Sequence, residues 1–272
     1  MREPPYLPFL SGPASLAPGL KPIAPENLIA PDTEAEAWLS EKRRIMKAHR
    51  AEVFFSNLPD VALTEASRLV AGHLPPPEED WPTPLEGAAA RVSDDLCLLQ
   101  RGADGLWRLE AASLVAPTFW RLAEKAGQPL GGLHDPVPDA NPGLVARIAR
   151  MFDALRPGQV LERFNWTVQA GDARFTPDAA PLKALAANTP DEAALRVLHL
   201  RVERQTISKL PDSGLLLFTI RIAVDPLEAV LSSPDRIAAF QAAWDGTDPA
   251  LAAYKGWPHY ERLVRAALRR LS

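Results

Sequence analysis

The sequence predicts an α+β fold, an antiparallel sheet with flanking helices. Two observations lead there. Apolar-rich strand segments come in consecutive pairs joined by short turns, as antiparallel hairpins do. Helical patterns are mixed with these hairpins, which argues for α+β and against a parallel doubly wound sheet.

The first thirty or so residues carry many prolines and little periodicity, and are expected to form an extended arm lying on the domain. Thr33 to Ala51 reads as a helix capped by Asp32, with Glu34 and Glu36 near its start and Lys42, Arg43, Arg44 and Lys47 further on. That order suits the helix dipole. Thr64 to Ala71 is a second helix ending at Gly72. Pro75-Pro76-Pro77 followed by Glu78, Glu79 and Asp80 is the best candidate boundary. It divides an N-terminal arm with helices, residues 1–80, from a main region, residues 81–272.

From Asp94 the pattern turns to strands. DDLCLLQR and LWRLEAA flank a Gly-Ala-Asp-Gly turn. A proline-rich loop from Gln128 to Pro142 follows, then a helix from Gly143 to Leu155 and a strand from Val160 to Gln169. VLHLRVERQTISKL and LLLFTIRIAV form another hairpin around Pro211-Asp212-Ser213-Gly214. Ser233-Pro234 opens a helix to about Trp244, and a last helix runs from about His259 to Leu271.

Composition narrows the function. Apolar residues at 47% and charged residues at 24% are ordinary for a globular chain. A net charge of -4 supplies no excess of cations for phosphates, so no nucleic-acid partner is expected. Cys97 is the only cysteine, and the N-terminal stretch has no apolar run suited to a signal peptide or membrane span. A cytoplasmic protein is the expectation. No Gly-x-Ser-x-Gly elbow, His-x-x-x-His or Glu-x-x-His spacing is present, so serine-hydrolase, zinc and di-iron chemistry lack support.

Side chains two apart share a strand face. Phe164, Trp166 and Val168 therefore lie opposite Arg163, Asn165 and Thr167. Leu198, Leu200 and Val202 likewise lie opposite His199, Arg201, Glu203 and Gln205. Two readings stay open: a sheet with one side in water, or a polar pocket built on a sheet. Cys97, among leucines, reads as a buried strand residue, and the aromatics of FWRLAEKAG read as packing. His134 sits in a loop stiffened by Pro136 and Pro138. His49, His73 and His259 suit surface or turn roles, and His199 is a pocket candidate.

An ordered set of segments resembles the alpha subunit-like proteins of haem-dependent oxidative N-demethylases. They are DDLCLL, Pro117-x-x-Trp120 with Lys125-x-Gly127, LHDPVP, ERFNW, RVERQT, KLPDSGLLLFTIR and Tyr254-Lys255-Gly256. The resemblance implies a PAS-like scaffold holding haem b through a histidine. It also implies oxidation of a small secondary amine, dimethylamine in the family's named activity, to a primary amine and formaldehyde with O2. Electrons would come from a separate NADPH-dependent reductase carrying flavin and iron–sulfur. His134 becomes the candidate axial ligand, and Arg163, Arg201, Arg204 and Arg221 candidates for the haem propionates. Glu203 and Asp135 are candidates for the substrate ammonium, and Asn165, Gln205 and Thr206 for placing dioxygen or water. A haem-based sensor and a haem-free interaction subunit of the same fold are the alternatives.

Overall fold

A computed structural model describes residues 3–15, 19–32, 35–72, 74–134 and 142–271. Among these, seven strands form one antiparallel sheet: β1 (Lys21–Ile23), β2 (Phe54–Ser56), β3 (Asp95–Arg101), β4 (Trp107–Ser113), β5 (Val160–Ala170), β6 (Leu198–Lys209) and β7 (Leu216–Pro226). Their order is β1-β5-β6-β7-β3-β4-β2. The two expected hairpins form, β3–β4 and β6–β7. Each turn holds a glycine at positive φ, Gly105 at 79° and Gly214 at 68°, where a Cβ would be strained.

Helices cover the sheet on both sides. Trp38 and Ile45 from helix Ala35–Ala48, Leu63 and Val70 from helix Asp60–Ala71, and Leu85 from helix Pro84–Ala89 share a core with Leu96, Leu98 and Leu217. Residues before and after the Pro75–Pro77 run thus belong to one hydrophobic cluster. Glu65 strengthens the join by accepting the amides of Asp212 (2.7 Å) and Ser213 (3.1 Å) in the β6–β7 turn. A second core packs Phe240 and Trp244 of helix Pro234–Asp245 and Val264 of helix Glu261–Leu271 against Trp166, Val168, Leu200 and Val202.

The N-terminal arm lies on the sheet, and buried cations hold it there. The carbonyls of Asn27 (2.5 Å) and Leu28 (3.4 Å) accept from Arg204, and those of Ala30 (2.6 Å) and Pro31 (3.3 Å) from Arg221. Arg204 also pairs with Glu162 at 2.6 Å, and Arg221 binds Asp94 Oδ2 through Nε (2.8 Å) and Nη2 (2.6 Å). Breaking a buried pair strands a charge. Asp94→Asn is therefore expected to lower stability by about 3 kcal/mol in urea denaturation. A loss under about 1 kcal/mol would mean that Asp32, 3.8 Å from Arg221, takes over the charge.

Some elements differ from expectation. The first helix stops at Ala48 and resumes as the turn Arg50–Val53, because His49 leaves helical geometry (φ −123°, ψ 31°). Within the expected proline-rich loop, Leu130–His134 is a short helix. Ala180–Asn188, given no element from the sequence, is a helix with a proline in its first turn.

Candidate functional site

Alternation along β5 and β6 brings the polar series to one face. Antiparallel register sets Arg163 opposite Gln205, Asn165 opposite Glu203 and Thr167 opposite Arg201. This face is not open to water as a plain sheet surface. It forms one wall of a cavity of about 410 Å³, within the usual range of small-molecule sites. Cys97, Leu99, Phe218 and Ile220 from the same sheet make an apolar floor, and Ile148, Met151 and Phe152 of helix Pro142–Ala154 close the space. Tyr254, the last residue of helix Pro249–Tyr254, and Lys255, its C-cap, border it.

A loop, residues 116–120, supplies another wall, and two buried groups hold it. Asp95 accepts the amides of Val115 and Ala116, both at 2.8 Å. Arg201 is fully buried and donates to Thr118 Oγ1 (2.9 Å), to Gln169 Oε1 (3.1 Å) and to the carbonyls of Ala116 (2.8 Å), Pro117 (3.2 Å), Ala173 (3.3 Å) and Arg174 (3.1 Å). Burial pulls its guanidinium down to about 10, with Glu203 and Asp95 opposing, so it stays a cation at neutral pH. Phe119, inside this loop, has φ of +66°, the one positive-φ non-glycine among the described residues. Such a residue persists where its surroundings over-determine it.

The polar wall is a hydrogen-bonded series. Lys255 Nζ donates to Asn165 Oδ1 (2.6 Å) and to the Trp166 carbonyl (2.9 Å). Asn165 Nδ2 (3.4 Å) and Gln205 Nε2 (2.6 Å) donate to the same oxygen, Glu203 Oε2. Burial lowers the Lys255 ammonium to about 8, against the opposing pull of Glu203 and with help from Arg163. Arg163 is also lowered by burial, with Glu203 opposing. Its Nε is buried without a hydrogen-bond partner.

The predicted site residues therefore separate. Arg163, Asn165, Glu203 and Gln205 meet at the cavity, joined by Lys255 of the Tyr254-Lys255-Gly256 segment, for which no role was expected. Arg201 stands behind the cavity and braces its loop. Arg204, Arg221 and Thr206 point to the other face, toward the arm, because they are one residue out of phase with the polar series or paired across from it. Leu130 lines the cavity, and His134 ends the same short helix. Asp135 and His73 lie outside the described residues. His199 holds the Val197 carbonyl at 3.0 Å and does not line the cavity. Cys97 does line it, but burial pushes its thiol up, which keeps it protonated.

An apolar floor facing a polar wall, with a half-buried arginine whose buried Nε lacks a partner, suits a large, mostly apolar ligand carrying an anionic group. Residues 73–265 match the family described as haem-dependent oxidative N-demethylase, alpha subunit-like. The chain belongs to that family. The resemblance carried by the ordered segments is thus confirmed, and the match extends across every cavity residue from Cys97 to Lys255. The residues present also fit the haem that the family name implies. Its macrocycle is apolar, and a propionate is the kind of acceptor that the orphaned Arg163 Nε lacks. Among the described residues, no cluster of His, Cys, Asp and Glu could hold a metal ion by itself, and no helix is long and apolar enough to cross a membrane.

Proposed function

We propose that this protein oxidatively N-demethylates a small secondary amine, dimethylamine-like, to a primary amine and formaldehyde. The observation that carries the reading is that an unpartnered Arg163 and a Glu203 carboxylate stand side by side, unjoined, on the polar wall of a cavity whose floor is apolar. In this reading the sheet is a PAS-like scaffold, the region after residue 80 forms the catalytic part, and the protein works in the cytoplasm. Haem b, held by His134 and by Arg163 at a propionate, would supply the O2 chemistry. NADPH electrons would arrive through a separate reductase with flavin and iron–sulfur centres.

The chain's own residues have defined tasks. Glu203 Oε2 is occupied by two amide donors, which leaves Oε1 to accept from a substrate N–H. A secondary ammonium fits a carboxylate better than a neutral acceptor, since charge-assisted hydrogen bonds are about twice as strong. Asn165 and Gln205 hold that carboxylate and border the space where dioxygen or water would lie. The leucines and phenylalanines of the floor exclude bulk water and leave methyl groups without polar competition.

The test is the absorption spectrum of protein expressed with haem precursor, beside His134→Ala prepared identically. A Soret band in the wild type that is lost or shifted in the variant is expected, followed by amine-dependent NADPH consumption with a reductase. A colourless wild-type protein would remove the proposal. Haem without amine turnover would favour a sensor.

A further inference from the structure

We propose that Lys255, Asn165 and Gln205 form a clamp that holds Glu203 away from Arg163, keeping two opposite charges of the cavity wall unpaired for ligands. Lys255 is in this sense a positioning residue. The inference rests on the reading of Glu203 as the carboxylate that meets the amine.

The geometry begins with the sheet. Arg163 opposes Gln205 and Asn165 opposes Glu203, so Arg163 and Glu203 are diagonal neighbours on adjacent strands. Diagonal pairs lie about 7–8 Å apart at the backbone, within reach of long side chains. A half-buried arginine and a half-buried glutamate so placed would ordinarily close into an ion pair, because the Arg163 Nε is already removed from water and costs free energy to leave uncompensated. Here they do not close. Arg163 makes no hydrogen bond or ion pair among the described residues, and its Nε is buried.

The alternative partners of Glu203 explain why. Both Asn165 Nδ2 and Gln205 Nε2 donate to Oε2, the first from β5 and the second from β6 itself. Asn165 can donate only if its carbonyl end faces the other way, and Lys255 ensures this. An ammonium has no acceptor, so Nζ at 2.6 Å selects the oxygen of the Asn165 amide and thereby aims the nitrogen at Glu203. Lys255 is itself fixed by the Trp166 carbonyl at 2.9 Å, at the end of a turn whose Trp257 donates to Thr167 Oγ1 at 3.0 Å. The C-terminal segment thus sets the direction of a carboxylate on β6 through one amide on β5.

Without Lys255 the Asn165 amide can turn, Glu203 loses a donor, and the waiting guanidinium becomes its best partner. The cavity would then present a closed pair in place of a carboxylate for a cationic N–H and a cation for an anionic group.

The clamp is tested on full-length protein purified without haem precursor, with arginine side chains isotopically labelled at Nε. The Arg163 Nε–H signal is assigned by its loss in Arg163→Lys. In Lys255→Met this signal should move downfield and exchange with solvent roughly tenfold more slowly, as pairing with Glu203 demands. Lys255→Arg, which keeps a donor and the charge, should resemble wild type, and adding Glu203→Gln to Lys255→Met should abolish the change. A role limited to propping the Trp166 carbonyl would shift stability and leave this signal alone. If Lys255→Met does not fold, Asn165→Leu breaks the next link and carries the same expectation. An unchanged signal in a folded clamp variant overturns the inference. Calorimetric titration of haem-replete wild type with dimethylammonium chloride separates the two readings: the expected exchange pattern with no amine uptake by that protein would keep the clamp and remove the demethylase.

Discussion

Arg201→Met should be among the most destabilising single changes in this protein, lowering stability by about 3–5 kcal/mol, in the range measured for broken buried charge networks. Arg201 is fully buried and meets six acceptors, four of them backbone carbonyls. Two opposing terms decide the outcome. Removing the cation recovers the desolvation that lowers its guanidinium, and methionine restores much of the apolar volume. Against this, six oxygens lose a donor together; the Pro117 and Ala173 carbonyls keep one, from Thr176 and Gln169, but the other four are left unsatisfied at about 1–3 kcal/mol each. The second term wins because the carbonyls belong to loops that cannot turn outward: Asp95 holds Val115 and Ala116, and Thr176 donates to the Pro117 carbonyl at 2.8 Å. Arg201→Lys keeps the charge with three donors in place of five, and should recover part of the loss. The check is the urea midpoint at constant slope. A loss below about 1 kcal/mol would show that the loop is held without Arg201.

The same arginine shows what was legible in the sequence. Period two along ERFNWTV and LHLRVERQT placed Arg163, Asn165, Glu203 and Gln205 on one face, and the structure builds the cavity wall from them. Arg204 was legible by the same rule. Its even position puts it with Val202, away from Glu203, and only its place in a shared motif grouped it with Arg201. Arg221 required the β6–β7 register, which pairs it with Arg204, and no turn signal gives that register residue by residue. The helix Pro84–Ala89 carried a readable start, since Thr83 accepts the Glu86 amide at 3.2 Å in a Thr-x-x-Glu box. Its neighbouring prolines obscured it. Lys255 was not legible as a site residue, because its partner Asn165 is 90 residues away and no local pattern predicts the contact. The strained backbone at Phe119 is likewise set by distant groups, Arg201 and the Thr176 carbonyl that accepts its amide.

Glu203→Gln should lower kcat/KM for a secondary amine roughly 100-fold while leaving haem content unchanged. The substitution keeps the length and planarity of the side chain, so the two amide donors and the cavity volume are retained. What it removes is charge. A substrate ammonium then loses a charge-assisted hydrogen bond of about 1.5–3 kcal/mol, equivalent to roughly 10–150-fold. A second effect acts in the same direction. Arg163 and Lys255 face the same wall, and both feel Glu203 as their opposing anion. With glutamine in place the wall keeps its cations and lacks its carboxylate, so a cationic amine meets net repulsion in a space of low dielectric, where such interactions are strong. The split between kcat and KM distinguishes two tasks. A rise in KM alone would assign Glu203 to ground-state binding, whereas a matched fall in kcat would place its interaction in the transition state. Wild-type kinetics in a haem-replete Glu203→Gln protein would remove Glu203 from the amine site and leave the clamp that holds it without a substrate to serve.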